Sequence, residues 1–299
     1  MQYPNQQIKR PTSSFVSISD VFASLDKHRQ SNTKMLFTTM NSMAGSKPSF
    51  INALNQASYI KNSILFDFVT SICDKNNRLS NMMPSVEQFT QQVRALGINQ
   101  HDNLIVYDDF GNFCASRVWF MFRAMGFVNI KVMDGGLPTW LKASLPTVQT
   151  LYQPSEMGDF VARPSDIFKF VDSTYVEQKI DDVNSITIDA RSADRFTGSL
   201  PDPRPNVRSG HIPLSINIHY SSLQKGIGEA DIAQITDVFS DIGPSKEVLF
   251  SCGSGVTACI LAQSFFEIHP QHNAIRVYDG SWSDWGCNDA LPIEYTYGD

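Results

Sequence analysis

One cysteine lies in a loop whose composition suits it to act as a nucleophile. The segment reads Phe250-Ser251-Cys252-Gly253-Ser254-Gly255-Val256-Thr257-Ala258, between a predicted apolar strand and a predicted helix. Glycines let successive backbone N–H groups turn toward one anion, and a helix N-terminus adds positive potential. Both effects stabilise a thiolate, or a persulfide anion made on it. The pattern predicts a nucleophilic Cys252, and the competing interpretation is a buried core cysteine followed by an ordinary turn.

The loop lacks the arginine that a cysteine-dependent phosphatase needs to bind phosphate in bidentate fashion. Residues 253–258 are Gly, Ser, Gly, Val, Thr and Ala, so phosphate-ester chemistry is disfavoured. No Cys-x-x-Cys pair and no His/Cys cluster at zinc spacing occurs, so we expect no metal.

Four arginines lie within eighteen residues of the same half of the chain: Arg191, Arg195, Arg204 and Arg208. One interpretation is a set of surface ion pairs with Asp189, Asp194 and Asp202. The other is a clamp for a carboxylate beside Cys252, because a guanidinium matches a carboxylate in fork geometry.

An internal repeat indicates which elements position these residues. Asp134-Gly135-Gly136-Leu137-Pro138-Thr139-Trp140 resembles Asp279-Gly280-Ser281-Trp282-Ser283-Asp284-Trp285, at an offset of 145 residues. Before each motif lies a short β-branched run, and further upstream an apolar strand leads through a turn into a helical pattern. Strands that alternate with helices predict a parallel sheet covered by helices. We therefore expect an α/β protein of two tandem units, each a mainly parallel sheet with helices on both faces.

The predicted boundaries follow composition. Residues 1–14 are predicted to be a flexible N-terminal tail, and 15–145 to be a first, non-catalytic unit. Residues 146–164, which include Pro146, Pro154 and Pro164, are predicted to be a linker. Residues 165–299 are then the second, catalytic unit.

The composition of the whole chain narrows the class of protein. The net charge is −6, which argues against nucleic acid or an anionic membrane surface as a partner. The sequence contains no run of eighteen apolar residues, so we expect no membrane span, and the N-terminal residues show no secretory signal. Five cysteines (Cys73, Cys114, Cys252, Cys259 and Cys287) are too few and odd in number for a disulfide framework. We expect reduced thiols and a cytoplasmic location.

The residues from 252 to 258 resemble the active loop of two-domain rhodanese-type sulfurtransferases. The resemblance extends over nearly the whole chain and includes Asp194-Arg195-Phe196-Thr197-Gly198, Pro203-Arg204, Gly210-His211-Ile212-Pro213 and the motif that begins at Asp134. It implies two rhodanese domains, with chemistry only in the second. Cys252 would take sulfur from 3-mercaptopyruvate as a persulfide, release pyruvate, and pass the sulfur to a thiol or to cyanide. No cofactor is implied, and the acceptor would be a small thiol or a thioredoxin-like protein.

The same resemblance assigns roles to individual residues. Arg195 and Arg204 match the substrate-binding arginines of the family, and Ser254 joins Cys252 as a catalytic residue. The backbone of Gly253, Gly255, Val256 and Thr257 would cradle the transferred sulfur. Relatives that prefer thiosulfate carry basic side chains just after the cysteine, so the neutral Gly253 and Ser254 favour 3-mercaptopyruvate.

Two departures from the family pattern leave alternatives open. Asn81 stands where the family has a histidine, and Val69 where it has an acid, so only Ser254 remains of a three-residue relay. The alternatives are a thiosulfate sulfurtransferase, or a module that carries sulfur or binds a partner with little turnover.

Overall fold

Two parallel sheets contain the apolar strands of the sequence. The computed structural model describes residues 13–25, 32–40, 51 and 57–296. In these ranges one five-stranded sheet belongs to each half of the chain. The predicted α/β architecture with two tandem units is confirmed.

The first unit is a sheet whose strands occur in the order β1-β5-β4-β2-β3, all parallel. Its strands are β1 (Phe15–Val16), β2 (Thr33–Thr38), β3 (Ser63–Leu65), β4 (Asn103–Asp108) and β5 (Ile130–Met133). Its described helices are α1 (Ile18–Leu25), α2 (Val86–Ala95), α3 (Ala115–Ala124) and α4 (Gly136–Lys142).

The second unit repeats this order as β6-β12-β11-β7-β8, again all parallel. Its strands are β6 (Phe168–Val171), β7 (Ser185–Asp189), β8 (Ile216–Asn217), β11 (Glu247–Ser251) and β12 (Ile275–Tyr278). Its helices are α5 (Ser173–Glu177), α6 (Ala193–Thr197), a 3₁₀ turn (Tyr220–Leu223), α7 (Ile232–Phe239), α8 (Ala258–Ile268) and α9 (Ser281–Trp285). A short hairpin of β9 (Gln224–Lys225) and β10 (Glu229–Ala230) lies outside the sheet.

Short polar side chains begin several helices. Ser85 and Gln88 form a capping box at the start of α2, and the Asp172 and Asp231 carboxylates accept backbone N–H groups at the starts of α5 and α7. These bonds satisfy N–H groups that have no partner inside the helix.

The central strands β4 and β11 each end at a loop that leads into a helix, α3 and α8. These two helices pack against each other, and Trp119 of α3 lies 5.7 Å from Phe266 of α8 between ring centroids. Trp119 also meets Phe168 of β6 edge to face at 5.6 Å. The apolar core is therefore continuous between the units, and the two loops face a shared interface.

Each unit reaches over the loop of the other. A first covering segment, residues 77–83, donates the N–H of Met83 to Asp279 Oδ2 at 2.7 Å. A second covering segment, residues 224–230, donates the N–H of Ala230 to Asp134 Oδ1 at 2.8 Å. The repeated Asp-Gly motifs of the sequence are thus the points where each unit holds the covering segment of the other.

The predicted tail and linker differ in how far the structure describes them. Residues 1–12 of the predicted tail lie outside the described residues. Within it, Ser13 and Ser14 hydrogen bond through their hydroxyls to the Glu267 carboxylate of α8, at 2.7 and 2.6 Å. The predicted linker runs along the first unit, where the Gly158 N–H donates to Arg94 O at 2.8 Å.

Candidate active site

Cys252 follows β11 directly, at the carboxyl end of the central strand, where open α/β sheets bind ligands. Only 1% of Cys252 is exposed. Its N–H donates to Ser281 Oγ at 3.1 Å, and the same oxygen lies 3.9 Å from Sγ. Ser281 follows β12 in the Asp-Gly motif, and the sequence alone does not indicate its contact with the cysteine.

The first carbonyls of the loop are held from outside by the second unit. The N–H groups of Trp282 and Ser283 donate to Cys252 O at 3.0 Å and to Gly253 O at 2.9 Å. Arg204 Nη1 also donates to Gly253 O, at 2.7 Å. Because these carbonyls are bound on the outer side, the peptide planes of the loop are fixed.

The next two carbonyls are held by the first unit. Asn81 Nδ2 donates to Ser254 O at 3.2 Å, and Arg117 Nη1 donates to Gly255 O at 3.0 Å. Arg117 is fully buried and also forms an ion pair with Asp279 at 2.6 Å. The first unit therefore holds the loop directly, a role that the sequence pattern did not predict for Arg117.

The N–H groups of the same loop have no such partners. Within the described residues, nothing accepts a hydrogen bond from the N–H groups of residues 253–257. A loop with its carbonyls bound outside and its N–H groups unused is suited to hold an anion.

The equivalent loop of the first unit shows such an anion in place. Val106 and Phe250 occupy matching positions beside Val132 and Val277, so Asp108 stands where the second unit has Cys252. The Asp108 carboxylate accepts hydrogen bonds of 2.7–3.0 Å from five N–H groups, those of Phe110, Gly111, Asn112, Cys114 and Ala115. Burial raises the pKa of Asp108, and the N–H donors act against that rise. The strand register thus places Asp108, and not Cys114 of the same loop, at the position of Cys252.

Glycine is required at one matching position in each loop. Gly111 and Gly255 have φ angles of 87° and 74°, in the left-handed region that glycine adopts without strain. A Cβ at Gly255 would also lie 2.3 Å from Asp279 O. Both loops therefore turn at a left-handed glycine three residues after Asp108 and Cys252. The first loop also has Asn112 at φ 58° and reaches its helix one residue later.

Two of the four clustered arginines lie at the cysteine loop. Arg195 and Arg204 both pair with Asp202, at 2.6 and 2.8 Å. A Cβ built on Gly253 would lie 3.6 Å from Arg195 Nη2 and 3.8 Å from Arg204 Nη2. Burial acts to raise the pKa of Asp202, but hydrogen bonds from Arg204 and Arg195 outweigh it and lower that pKa to about 2. Asp202 therefore stays ionised and holds the two guanidinium groups side by side.

The other two arginines have structural partners. Arg191 pairs with Asp189 at 2.7 Å and lies 4.2 Å above the Trp282 ring. Arg208 donates to the carbonyls of Gly286 and Leu291, both at 3.2 Å. The ion pairs predicted for Asp189 and Asp202 are present, but both carboxylates are buried and not on the surface. Asp194 forms no ion pair with a described residue, and the carboxylate clamp stays a prediction.

A cavity of about 320 Å³ opens at Cys252. Its charged side chains are Arg191 and Arg195, and no carboxylate of a described residue lines it. Phe113 closes it from the first unit, and its ring packs edge to face with Tyr220 at 5.6 Å. The cavity is therefore suited to a small anionic molecule. Its remaining lining residues are Met40, Ala190, Ser192, His219, Gly253, Ser254, Val256 and Thr257.

Asn81 and Val69, the two residues that depart from the family pattern, do not form a relay with Ser254. Asn81 is buried at φ 58°, and its amide contacts the Ser254 backbone. The N–H of Val69 donates to Asp67 Oδ1 at 3.0 Å. Of the three positions, only Ser254 carries a hydroxyl to the cavity wall.

Cys259 is the second cysteine at the loop, and it has a structural contact. Its thiol donates to Gly255 O at 3.3 Å, and burial raises its pKa. All five cysteines lie in described residues and none is in a disulfide; Cys287 is the exposed one. Among the residues that the structure describes, no cluster of metal-ligating side chains and no helix able to cross a membrane occurs.

Comparison with known families matches both halves of the chain to one family. The rhodanese-like domain matches residues 44–143 and 172–287, and the second match includes Cys252. An Arabidopsis thaliana protein, thiosulfate/3-mercaptopyruvate sulfurtransferase 1, mitochondrial, is 34% identical over 80% of this chain and 68% of its own length. The Escherichia coli K12 3-mercaptopyruvate sulfurtransferase is 32% identical over 79% of this chain and 83% of its own length.

Solved structures share the fold. SseA from Escherichia coli, described as a 3-mercaptopyruvate sulfotransferase, superposes with a TM-score of 0.73 at 27% identity, over 90% of this chain and 99% of SseA. Tum1 from Saccharomyces cerevisiae superposes with a TM-score of 0.75 at 24% identity, over 92% of this chain and 95% of its own.

Proposed function

The chain belongs to the rhodanese family, and on this premise we propose that it is a sulfurtransferase that takes sulfur from 3-mercaptopyruvate. Cys252 attacks the substrate sulfur, pyruvate leaves, and the sulfur stays on Cys252 as a persulfide. A thiol acceptor then removes it, so the reaction has two half-reactions with a covalent intermediate.

The observation that carries the proposal is the pair of equivalent loops. The first-unit loop holds the Asp108 carboxylate with five N–H groups. The second-unit loop has a left-handed glycine, Gly255, at the position that matches Gly111, and the N–H groups of residues 253–257 have no partner among the described residues. A persulfide anion on Cys252 extends one sulfur atom beyond Sγ into the space that the carboxylate fills in the first unit. The N–H groups of residues 253–257 would stabilise it, which lowers the free energy of the intermediate.

The side chains around the cysteine fit a 2-oxo acid. Arg195 and Arg204 lie beside Gly253, held in place by Asp202, and we propose that they bind the substrate's carboxylate and carbonyl. The Ser254 hydroxyl lines the cavity and would hydrogen bond the substrate next to Sγ.

Thiosulfate is the second candidate donor, because the Arabidopsis relative is named for both donors and a Gallus gallus thiosulfate sulfurtransferase is 34% identical over 71% of this chain. The loop here has the neutral residues Gly253 and Ser254 directly after the cysteine. A doubly charged donor lacks basic partners at these positions, so we rank 3-mercaptopyruvate first.

We further propose that a small thiol or a thioredoxin-like dithiol protein accepts the sulfur, and that the protein works in the cytoplasm. The absence of disulfides among the five cysteines supports a reducing compartment. Fractionation of cells, with detection of the native protein, checks the location.

The test compares pyruvate release from 3-mercaptopyruvate plus a thiol with thiocyanate formation from thiosulfate plus cyanide. We expect the larger kcat/KM with 3-mercaptopyruvate, and loss of both activities in Cys252→Ser without loss of folding. Cys287→Ser, which removes the exposed cysteine, is the matched control and should retain activity. Turnover in Cys252→Ser, or a clear preference for thiosulfate, would contradict the assignment.

A further inference from the structure

His219 lies on the wall of the cavity that contains Cys252. The strand register brings it there, because Ser251 of β11 pairs with Asp189 of β7. The chain after β8 stays bound to the end of β7, since the N–H groups of Ile218 and Tyr220 donate to the carbonyls of residues 189 and 190, at 3.0 and 3.3 Å. His219 is therefore held on the wall of the cysteine cavity by backbone bonds on both sides of it.

One ring nitrogen of His219 is engaged and the other is available. Nδ1 lies 2.8 Å from Ser221 Oγ, and Nε2 makes no hydrogen bond within the described residues. The imidazole is half-buried, and burial lowers its pKa, so the ring is neutral at neutral pH. A neutral imidazole can accept a proton at one nitrogen and return it, which is the property required of a proton carrier.

The proposed reaction leaves one proton to be moved. As the Cys252 thiolate forms the S–S bond, the C–S bond of 3-mercaptopyruvate breaks and its electron pair leaves with the enolate of pyruvate. The transferred sulfur begins as a thiol and ends as a persulfide anion, while the enolate carbon must gain a hydrogen to become a methyl group. The proton that the sulfur loses is therefore the one that the carbon needs.

Apart from the nucleophile Cys252, the other ionisable side chains of the cavity do not supply this transfer at neutral pH. The guanidinium groups of Arg191 and Arg195 offer only donor nitrogens and no acceptor, and burial raises the pKa of Tyr220. Asn81 and Val69, at the two altered positions of the family relay, have no group that titrates.

We propose that His219 is a catalytic residue of the mercaptopyruvate half-reaction, with Nε2 accepting the proton of the substrate thiol and delivering it to the enolate carbon. The inference rests on the proposed function, since it requires 3-mercaptopyruvate as the donor. Thiosulfate provides the contrast, because the cysteine thiolate and thiosulfate give a persulfide anion and sulfite without any proton transfer.

The test measures both donors in single-turnover experiments, with pyruvate or sulfite as the product, on the full chain and on His219→Gln. We expect the mercaptopyruvate rate to fall about 100-fold, a typical contribution of general acid–base catalysis, and the thiosulfate rate to change less than about twofold. His101→Gln, which changes an exposed histidine just before β4 of the first unit, is the matched control and should change neither rate. Equal losses with both donors, or no loss with either, would overturn the proposal.

A second variant distinguishes loss of proton transfer from a packing defect at position 219. In His219→Ala, added imidazole should restore pyruvate release in proportion to its concentration and leave sulfite release unaffected. Absence of any rescue, with folding shown intact by circular dichroism, would count against proton transfer. If the wild-type chain releases no pyruvate at all, the proposed function fails instead, and the two failures are thus distinct.

Discussion

The two guanidinium groups beside Gly253 form the cationic part of the site, and they depend on a third residue. Asp202 holds both and is itself 1% exposed at its side chain. Its pKa of about 2 keeps it charged through the whole working pH range. In the clamp that we propose, a substrate carboxylate would therefore meet arginines whose positions are already fixed, which would reduce the entropy lost on binding.

At this scale we predict that Arg195→Ala and Arg204→Ala each raise the KM for 3-mercaptopyruvate about ten- to a hundredfold. A charge-assisted hydrogen bond contributes about 1.5–3 kcal/mol, and about 1.4 kcal/mol corresponds to a factor of ten. Steady-state kinetics measure the KM of each variant, and Arg163→Ala, at an exposed position, is the control. Unchanged KM values in both variants would remove the arginines from substrate binding.

Single residues were predictable to the extent that their neighbours in sequence carry the signal. Cys252 and its glycines stand in one short segment, and the structure brings Arg195 and Arg204 to it. Asp108 was not predicted, because aspartate and cysteine are chemically unlike and a sequence comparison does not align them. Only the strand register shows that Asp108 and Cys252 occupy equivalent positions. Arg117 and Ser281 contact the loop, and His219 lines the cavity, from other segments of the chain. No local sequence pattern marks such positions.

Among the elements, the strand–loop–helix junction determines the site. The repeat predicted the strands and helices well, because their apolar patterns are local and occur twice. The path of the loop itself depends on Gly255, whose left-handed backbone places it against Asp279 O. That contact joins the loop to the end of β12.

We predict that Gly255→Ala lowers the free energy of unfolding by about 1–3 kcal/mol and lowers sulfur transfer sharply. A left-handed φ is strained for alanine, and the Cβ would overlap a backbone oxygen that cannot move aside easily. Urea unfolding and the pyruvate assay measure the two effects. Gly243→Ala is the control, because no atom lies within 4 Å of its Cβ position and its φ is not left-handed. Equal behaviour of the two variants would show that the loop does not need this conformation.

In the whole molecule, the buried ion pair of Arg117 and Asp279 joins the two units at the loop. Arg117 also donates to Gly255 O, so the pair connects the interface with the active-site backbone. Neither its burial nor its partner could be read from the helix sequence around Arg117, which is apolar and typical of a core helix.

Removing one charge of the Arg117–Asp279 pair should therefore lower the free energy of unfolding more than removing both charges. We predict that Arg117→Met destabilises the protein by about 3 kcal/mol, because it leaves the Asp279 carboxylate without its counter-charge. Arg117→Met combined with Asp279→Asn should regain part of that loss, and urea unfolding of the two single variants and the double variant measures the coupling. Additive losses would show that the two side chains act independently. Arg163→Met is the control for loss of an exposed arginine.

The two covering segments make closure of each loop depend on the other unit. Two copies of one fold that each close the other's loop have the arrangement of a twofold dimer. In separate subunits such closure would depend on protein concentration. Here residues 77–83 and 224–230 belong to the same chain as the loops that they cover, so closure is intramolecular and does not depend on protein concentration. Within one chain the two units can therefore differ in what their loops hold: the first-unit loop holds the Asp108 carboxylate, while residues 77–83 of that unit cover the cysteine loop of the other.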